Sequence, residues 1–164
     1  MEKMMEKIKL QVMQGPLAKG LPLPFYAYEN DAGLQLPTAV EVVVPANGMV
    51  QIITDLSFVI PRGYYLHVES RGASAVLGVG FDLTIVDEGY RGVVNLIAWN
   101  KSSKSVLVER GAVLGQVILR RYEVADIVEI SAEEFAATPE TKRGTGRIGS
   151  SGSKPRYLEP GEVR

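Results

Sequence analysis

The sequence contains no cysteine and a single histidine, His67. The first absence excludes disulfides, thiolate metal sites and a cysteine nucleophile. The second leaves too little imidazole for a multi-histidine metal centre or a Ser-His-Asp triad. Neither charge sign is in excess: 18 Lys and Arg stand against 19 Asp and Glu, a net charge of −1. Such a balance argues against a general electrostatic binder of nucleic acid or membrane, while still allowing a local basic pocket. No apolar run approaches the roughly 18 residues of a membrane span. The charged opening MEKMMEKIKL lacks the apolar stretch of a secretory signal. The expectation is a soluble cytoplasmic protein with no nucleic-acid or membrane partner.

What is present is β-structure. The 164 residues are 46% hydrophobic, which suits one domain with a real core. Seventeen Gly and nine Pro separate short runs rich in β-branched and aromatic residues. Val40–Pro45, Met49–Thr54, Ser57–Ile60, Tyr64–Glu69, Phe81–Val86, Val93–Trp99, Ser105–Glu109 and Val113–Arg120 read as strands. Turn signals at Asn47-Gly48, Arg62-Gly63, Glu88-Gly89 and Arg110-Gly111 lie between them. Many short strands at close spacing imply an all-β jelly roll, sandwich or barrel. One short helix is expected over Ser131–Ala137, where Ser131 and Glu134 have the spacing of a capping box. Residues 1–138 are read as the β-domain. Residues 139–164, rich in Gly, Ser and charge with almost nothing to bury, are read as a flexible arm suited to closing over phosphate.

The densest chemistry is Val86-Asp87-Glu88-Gly89-Tyr90-Arg91-Gly92. A carboxylate closes an apolar strand, and an aromatic follows three residues later. In isolation this is also an ordinary hairpin turn. Ser70-Arg71-Gly72-Ala73-Ser74 follows another strand, Gln116 sits inside an apolar strand, and Arg143-Gly144-Thr145-Gly146 lies on the arm. Each of these is weak alone, since an arginine is often a surface charge and a strand amide often satisfies a neighbouring backbone.

Taken in order, these pieces resemble the trimeric deoxyuridine triphosphatase (dUTPase) family from about Leu21 to Gly152. Leu21-Pro22 with Asp31–Leu36 is similar to the first family motif, and Ser70–Ala73 to the second. Val86–Gly92 is a close copy of the third, Arg110–Gln116 resembles the fourth, and Arg143–Gly152 resembles the fifth. The resemblance implies a jelly-roll-like β-barrel that forms a homotrimer, with sites between subunits and the arm of one subunit closing the site of another. It implies Mg²⁺-dependent cleavage of dUTP, or a related pyrimidine deoxynucleoside triphosphate, to the monophosphate and pyrophosphate. Asp87 would hold the attacking water and contact the sugar 3′-hydroxyl. Tyr90 would pack under the deoxyribose. Arg71, Gly72, Ser74, Gln116, Arg143 and Ser150 would contact the triphosphate, and Ile148 would lie on the base. Mg²⁺ would be carried by phosphate oxygens and water, with Gln35 near the metal end and no direct protein ligand.

The chain departs from the family pattern at Gln35, where the first motif has an acid, at Gly72, where the second has Ser, and at Ile148, where the fifth has an aromatic. The hairpin over Gly78–Thr84, which reads the base in the family, is shortened. These departures leave the base preference open. They also support an alternative, a catalytically weak protein of the same fold that binds nucleotide or regulates a partner. The related dCTP deaminases share the fold and need a glutamate on the strand near Ile97. No carboxylate lies between Glu88 and Glu109, so deamination ranks last.

Overall fold

The computed structural model describes residues 7–82 and 85–146. Among them are eleven strands and two short helices. The chain divides into two compact units after Val124.

The first unit is all-β, and every strand pairing in it is antiparallel. The strands are β1 (Gln11–Gln14), β2 (Leu34–Pro37), β3 (Val42–Val44), β4 (Met49–Ile52), β5 (Leu56–Val59), β6 (Tyr64–Ser70), β7 (Val79–Phe81), β8 (Ile85–Val86), β9 (Leu96–Asn100), β10 (Val106–Val108) and β11 (Val113–Arg121). They form a four-stranded sheet β2-β11-β6-β8, a three-stranded sheet β4-β9-β7, and the pairs β1-β5 and β3-β10. The ladders among the described residues stay separate rather than closing into one barrel, and they wrap a single apolar core in jelly-roll fashion.

Strand alternation builds that core. On β6, Leu66 and Val68 point inward and are fully buried, while Tyr65, His67 and Glu69 occupy the opposite face. Val117 of β11 pairs with Val68 and is likewise buried, as are Leu96 and Ala98 of β9. Truncating Leu66 to alanine is expected to cost about 2–5 kcal/mol, because the packed neighbours relax only in part.

Two expectations are corrected here. The run Phe81–Val86 is not one strand: its ends belong to β7 and β8, in different sheets. Apolar alternation continues through both ends and carries no mark of the sheet change, which follows the charged Asp82. There is also a second short helix, α1 (Gly72–Val76), where the sequence led to an expectation of only one, over Ser131–Ala137. Arg71 stays extended as its N-cap, Ala75 N–H donates to the Arg71 carbonyl, and Gly78 at φ +78° ends the turn. Ala73 and Ala75 favour the helical turn, and buried Ser74 anchors it through its hydroxyl to the Leu114 carbonyl.

The second unit contains α2 (Ala132–Ala136). Its capping box forms as read from the sequence: Glu134 N–H donates to the Ser131 hydroxyl, and Ser131 N–H to the Glu134 carboxylate. The Ser131 N–H chiefly, with the Ser131 hydroxyl next, holds the Glu134 carboxyl below the usual carboxylate range. Ile127, Val128 and Phe135 of this unit are exposed.

Candidate functional site

The turn after β8 is built to hold two side chains. Asp87 leaves the strand, and Tyr90 N–H donates back to the Asp87 carbonyl at 3.0 Å, closing a four-residue turn through Gly89. Tyr90 then folds over Gly92, and its hydroxyl donates to the Val93 carbonyl at 3.2 Å. A side chain at Gly92 would place its Cβ 2.4 Å from that hydroxyl oxygen, so the tyrosine pose requires glycine there.

Glu88 clamps the turn from below. Its carboxylate accepts from Gly63 N–H at 2.7 Å and from the Tyr122 hydroxyl at 2.9 Å. The Gly63 bond chiefly, with the Tyr122 bond next, holds Glu88 below the usual carboxylate range, and the same contact pushes the Tyr122 phenol up. The Arg91 guanidinium folds back onto the Glu88 and Tyr90 carbonyls at 2.7 and 2.9 Å. Asp87, free of these ties, is exposed beside a pocket of about 230 Å³ lined by Ile85, Val86, Tyr90, Val93, Val94 and Asn95.

A second group gathers at the other end of β6. Gln116 of β11 stands in register with Gln35 of β2 on one side and Glu69 of β6 on the other. Its Nε2 donates to the Ser70 carbonyl at 3.2 Å, and its Oε1 fills the space where a Gly33 side chain would lie. Arg71 follows Ser70 and donates to the Val113 carbonyl at 2.7 Å. Gln35 is buried, with its backbone bridged to Phe25. Gly72 is exposed at the start of α1. Ser74, 1% exposed, turns inward to the core.

The structure therefore brings together Asp87 with Tyr90, and Arg71 with Gln116, but it does not join the two groups. Val86 pairs with Leu66 and Gly115 with Ser70, so the groups lie at opposite ends of β6. Four residue steps along the strand separate those levels, about 13 Å. Arg143 lies in the second unit, in a turn where its carbonyl accepts from Gly146 N–H. Ile148 and Ser150 fall outside the described residues.

Two residues of the first group were not singled out from sequence. Glu88 adjoins Asp87 in the same motif, but its partners Gly63 and Tyr122 are distant in the chain. Asn95 enters through the pocket wall, on a stretch that reads only as strand.

A divalent cation would find no protein cage among the described residues, which hold no group of three or more His, Cys, Asp or Glu. The Gln35–Gln116 pair offers neutral amide groups instead. That donor set fits a cation brought in by phosphate oxygens and its own water. No described helix is long and apolar enough to cross a membrane.

Comparison with known proteins places these features in context. The family model described as dUTPase matches residues 19–152. A deoxyuridine 5′-triphosphate nucleotidohydrolase of Debaryomyces hansenii is 34% identical over 131 residues, covering 79% of this chain and 80% of the relative. One from Mycobacterium marinum is 35% identical over 140 residues, covering 83% of this chain and 91% of the relative. Among solved structures, a mutant dUTPase of Staphylococcus bacteriophage 80alpha with dUpNHpp matches with TM-score 0.78 at 20% identity, over 90% of this chain and all (100%) of that one. A mutant dUTPase from phage phi11 of S. aureus, described as coordinating a structural Mg(II) ion, matches with TM-score 0.69 at 19% identity, over 78% of this chain and 100% of that one.

Proposed function

The chain belongs to the dUTPase family, and from that premise we propose that it hydrolyses dUTP, or a closely related pyrimidine deoxynucleotide, to the monophosphate and pyrophosphate. The observation that carries this reading is the clamped turn, which holds Asp87 and Tyr90 at the mouth of an apolar pocket. The pocket has room for a nucleoside, and Tyr90 offers its ring to the face of the sugar. An aromatic packed against the 2′ carbon leaves no space for a 2′-hydroxyl. Asp87 then lies by the 3′ side and orients a water, accepting its proton. The phosphorus nearest the sugar is the α-phosphorus. Water adds there, the bond from the α-phosphorus to the α–β bridging oxygen breaks, and pyrophosphate leaves with the electron pair.

The triphosphate is assigned to the other group. Arg71 supplies a charge-assisted donor, Gln116 an amide and Gly72 a backbone N–H, while buried Ser74 holds α1 in place for them. Arg143, Ile148 and Ser150 belong to the closing arm in this reading. Mg²⁺ would be held through phosphate oxygens and water near Gln35 and Gln116, and would there supply charge neutralisation for the triphosphate and the leaving pyrophosphate. Within one copy the two groups stand about 13 Å apart along β6, and the pocket beside Asp87 is lined by none of the Arg71 group. The reading therefore requires a second copy to bring its Arg71 group to the first copy's Asp87 group, and a closed homotrimer satisfies this for every copy. We place the activity in the cytoplasm, with the nucleotide pool.

The test is pyrophosphate release from dUTP, dCTP, dTTP and UTP, with and without Mg²⁺, alongside Asp87→Asn. The expected result is Mg²⁺-dependent release from dUTP and none from UTP, abolished by the substitution. A folded protein that releases pyrophosphate from none of them contradicts the reading. Nucleotide binding without turnover would then favour a regulatory role, in line with the neutral Gln35.

A further inference from the structure

We propose that Tyr122 is a positioning residue for the reaction: acting through Glu88, it fixes the place at which Asp87 holds its water. The inference deepens the reading above and rests on it.

In that reading the Asp87 carboxylate has to stay uncommitted, because it accepts a proton from water. Its place is therefore set by the backbone on either side of it. Toward Val86 the support is slight. β8 has two residues, lies at the edge of its sheet and pairs with β6 alone. Toward Glu88 the support comes from far along the chain. One oxygen of the Glu88 carboxylate, Oε2, accepts from Gly63 N–H at 2.7 Å and from the Tyr122 hydroxyl at 2.9 Å. Both donors belong to one frame. β11 and β6 pair from Gly115 with Ser70 to Arg121 with Tyr64, the longest ladder among the described residues. Tyr122 and Gly63 are the next residues out, and Tyr122 N–H donates to the Gly63 carbonyl at 3.2 Å, which carries the ladder on through them. The Tyr122 ring is braced by an edge contact with Tyr65, the ring centroids 6.3 Å apart. The hydrogen bond to Glu88 chiefly pushes the Tyr122 phenol up, and the charge of Asp87 adds to that push, as expected of a phenol standing beside both carboxylates. The turn that carries Asp87 is thus moored, through Glu88, to the end of that long ladder. Tyr122 itself lines no part of the pocket and touches none of the Arg71 group. Its loss should therefore act on the reacting step, where placement of the water decides the rate, and not on nucleotide binding.

The experiment measures kcat and KM for dUTP with Mg²⁺ in the full-length protein, in Tyr122→Phe, in Glu88→Ala, in Glu88→Gln and in the Tyr122→Phe, Glu88→Ala double variant. Binding sites are counted by calorimetric titration with a non-hydrolysable dUTP analogue, so that kcat refers to folded, binding-competent protein. Tyr122→Phe should lower kcat about tenfold, with KM and analogue affinity within about twofold of wild type. Glu88→Ala should lower kcat at least as much. The double variant should be no worse than Glu88→Ala, because both changes act through one contact. Glu88→Gln, whose single amide oxygen can accept both hydrogen bonds, should recover most of the kcat that Glu88→Ala loses. A Tyr122→Phe kcat within twofold of wild type overturns the proposal. So does a loss that appears in KM instead, or a double variant in which the two losses multiply. For a Tyr122→Phe protein that does not fold, the two Glu88 variants give the answer, and equal kcat in both overturns the proposal. Failure of the underlying reading looks different: the wild type would not turn over dUTP.

Discussion

At the Tyr64 end of β6, the Asp87–Tyr90 turn is tied down by Glu88, Tyr122, Gly63 and Arg91, and it opens on a pocket with apolar walls. At the Ser70 end, Arg71, Gln35 and Gln116 gather around the start of α1 and the start of β11. The first end has apolar surface and one uncommitted carboxylate. The second has donors and a positive charge. A nucleoside suits the first and a triphosphate the second, yet a strand's length lies between them. On the reading proposed here, each chain carries two unlike halves of a site rather than one whole site. The account of function depends on the halves of different copies meeting.

Substitutions that strike one half at a time sharpen the contrast. Asp87→Asn has the largest expected effect, a fall in kcat of about 10²–10⁴ with KM little changed, because it removes the group that takes the proton. Steady-state kinetics on dUTP check this, and a variant that keeps more than a tenth of wild-type kcat breaks the assignment. Arg71→Ala should act through the other half. It is expected to raise KM and lower kcat/KM by about 10–100-fold, the worth of one charge-assisted hydrogen bond to phosphate. The loss should be far smaller for dUMP binding, measured by calorimetry. Gly92→Ala pushes on the Tyr90 ring, so the preference for dUTP over UTP should fall by about tenfold, the worth of roughly 1.4 kcal/mol. An unchanged preference would separate Tyr90 from sugar discrimination.

The smallest effect concerns the clamp and is read as stability against pH. Glu88 is held below its ordinary range in the folded chain, first by the Gly63 N–H and then by the Tyr122 hydroxyl. The unfolded chain binds its proton near pH 4.3. The clamp's contribution is therefore complete above that value and is lost as pH falls through the lower folded pKa. Thermal melts from pH 6 to pH 3 should show a smaller loss of Tm in Glu88→Gln than in wild type. Parallel curves would remove the charge of Glu88 from the account.

Much of the first half was legible in the sequence, because turn chemistry is local. Asp87, Gly89, Tyr90 and Gly92 lie within six consecutive residues, and their spacing alone announces a turn that presents two side chains. The capping box of Ser131 and Glu134 was legible for the same reason. What depended on distant partners was not. Glu88 looks like an ordinary turn acid until Gly63 and Tyr122 are brought to it. β1 and β2 were missed because QVMQ and LQLP hold few of the β-branched and aromatic residues that mark the other strands, and β7 and β8 were merged because alternation does not record a change of sheet. The separation of Asp87 from Arg71 is a matter of register, set by Val86 facing Leu66 while Gly115 faces Ser70. Motif order along the chain is silent about that distance.

The divided site is tested most directly by mixing two inactive proteins. Asp87→Asn keeps an intact Arg71 half, and Arg71→Ala keeps an intact Asp87 half. Each should be close to inactive alone at dUTP concentrations below KM. Unfolded together in equal amounts and refolded, they should recover about one quarter of wild-type activity, the share of random subunit neighbours that pair two intact halves in a cyclic oligomer. Recovery near that share is the result expected of a site built between copies. A mixture no more active than its two components, with both variants folded and assembled, would contradict it.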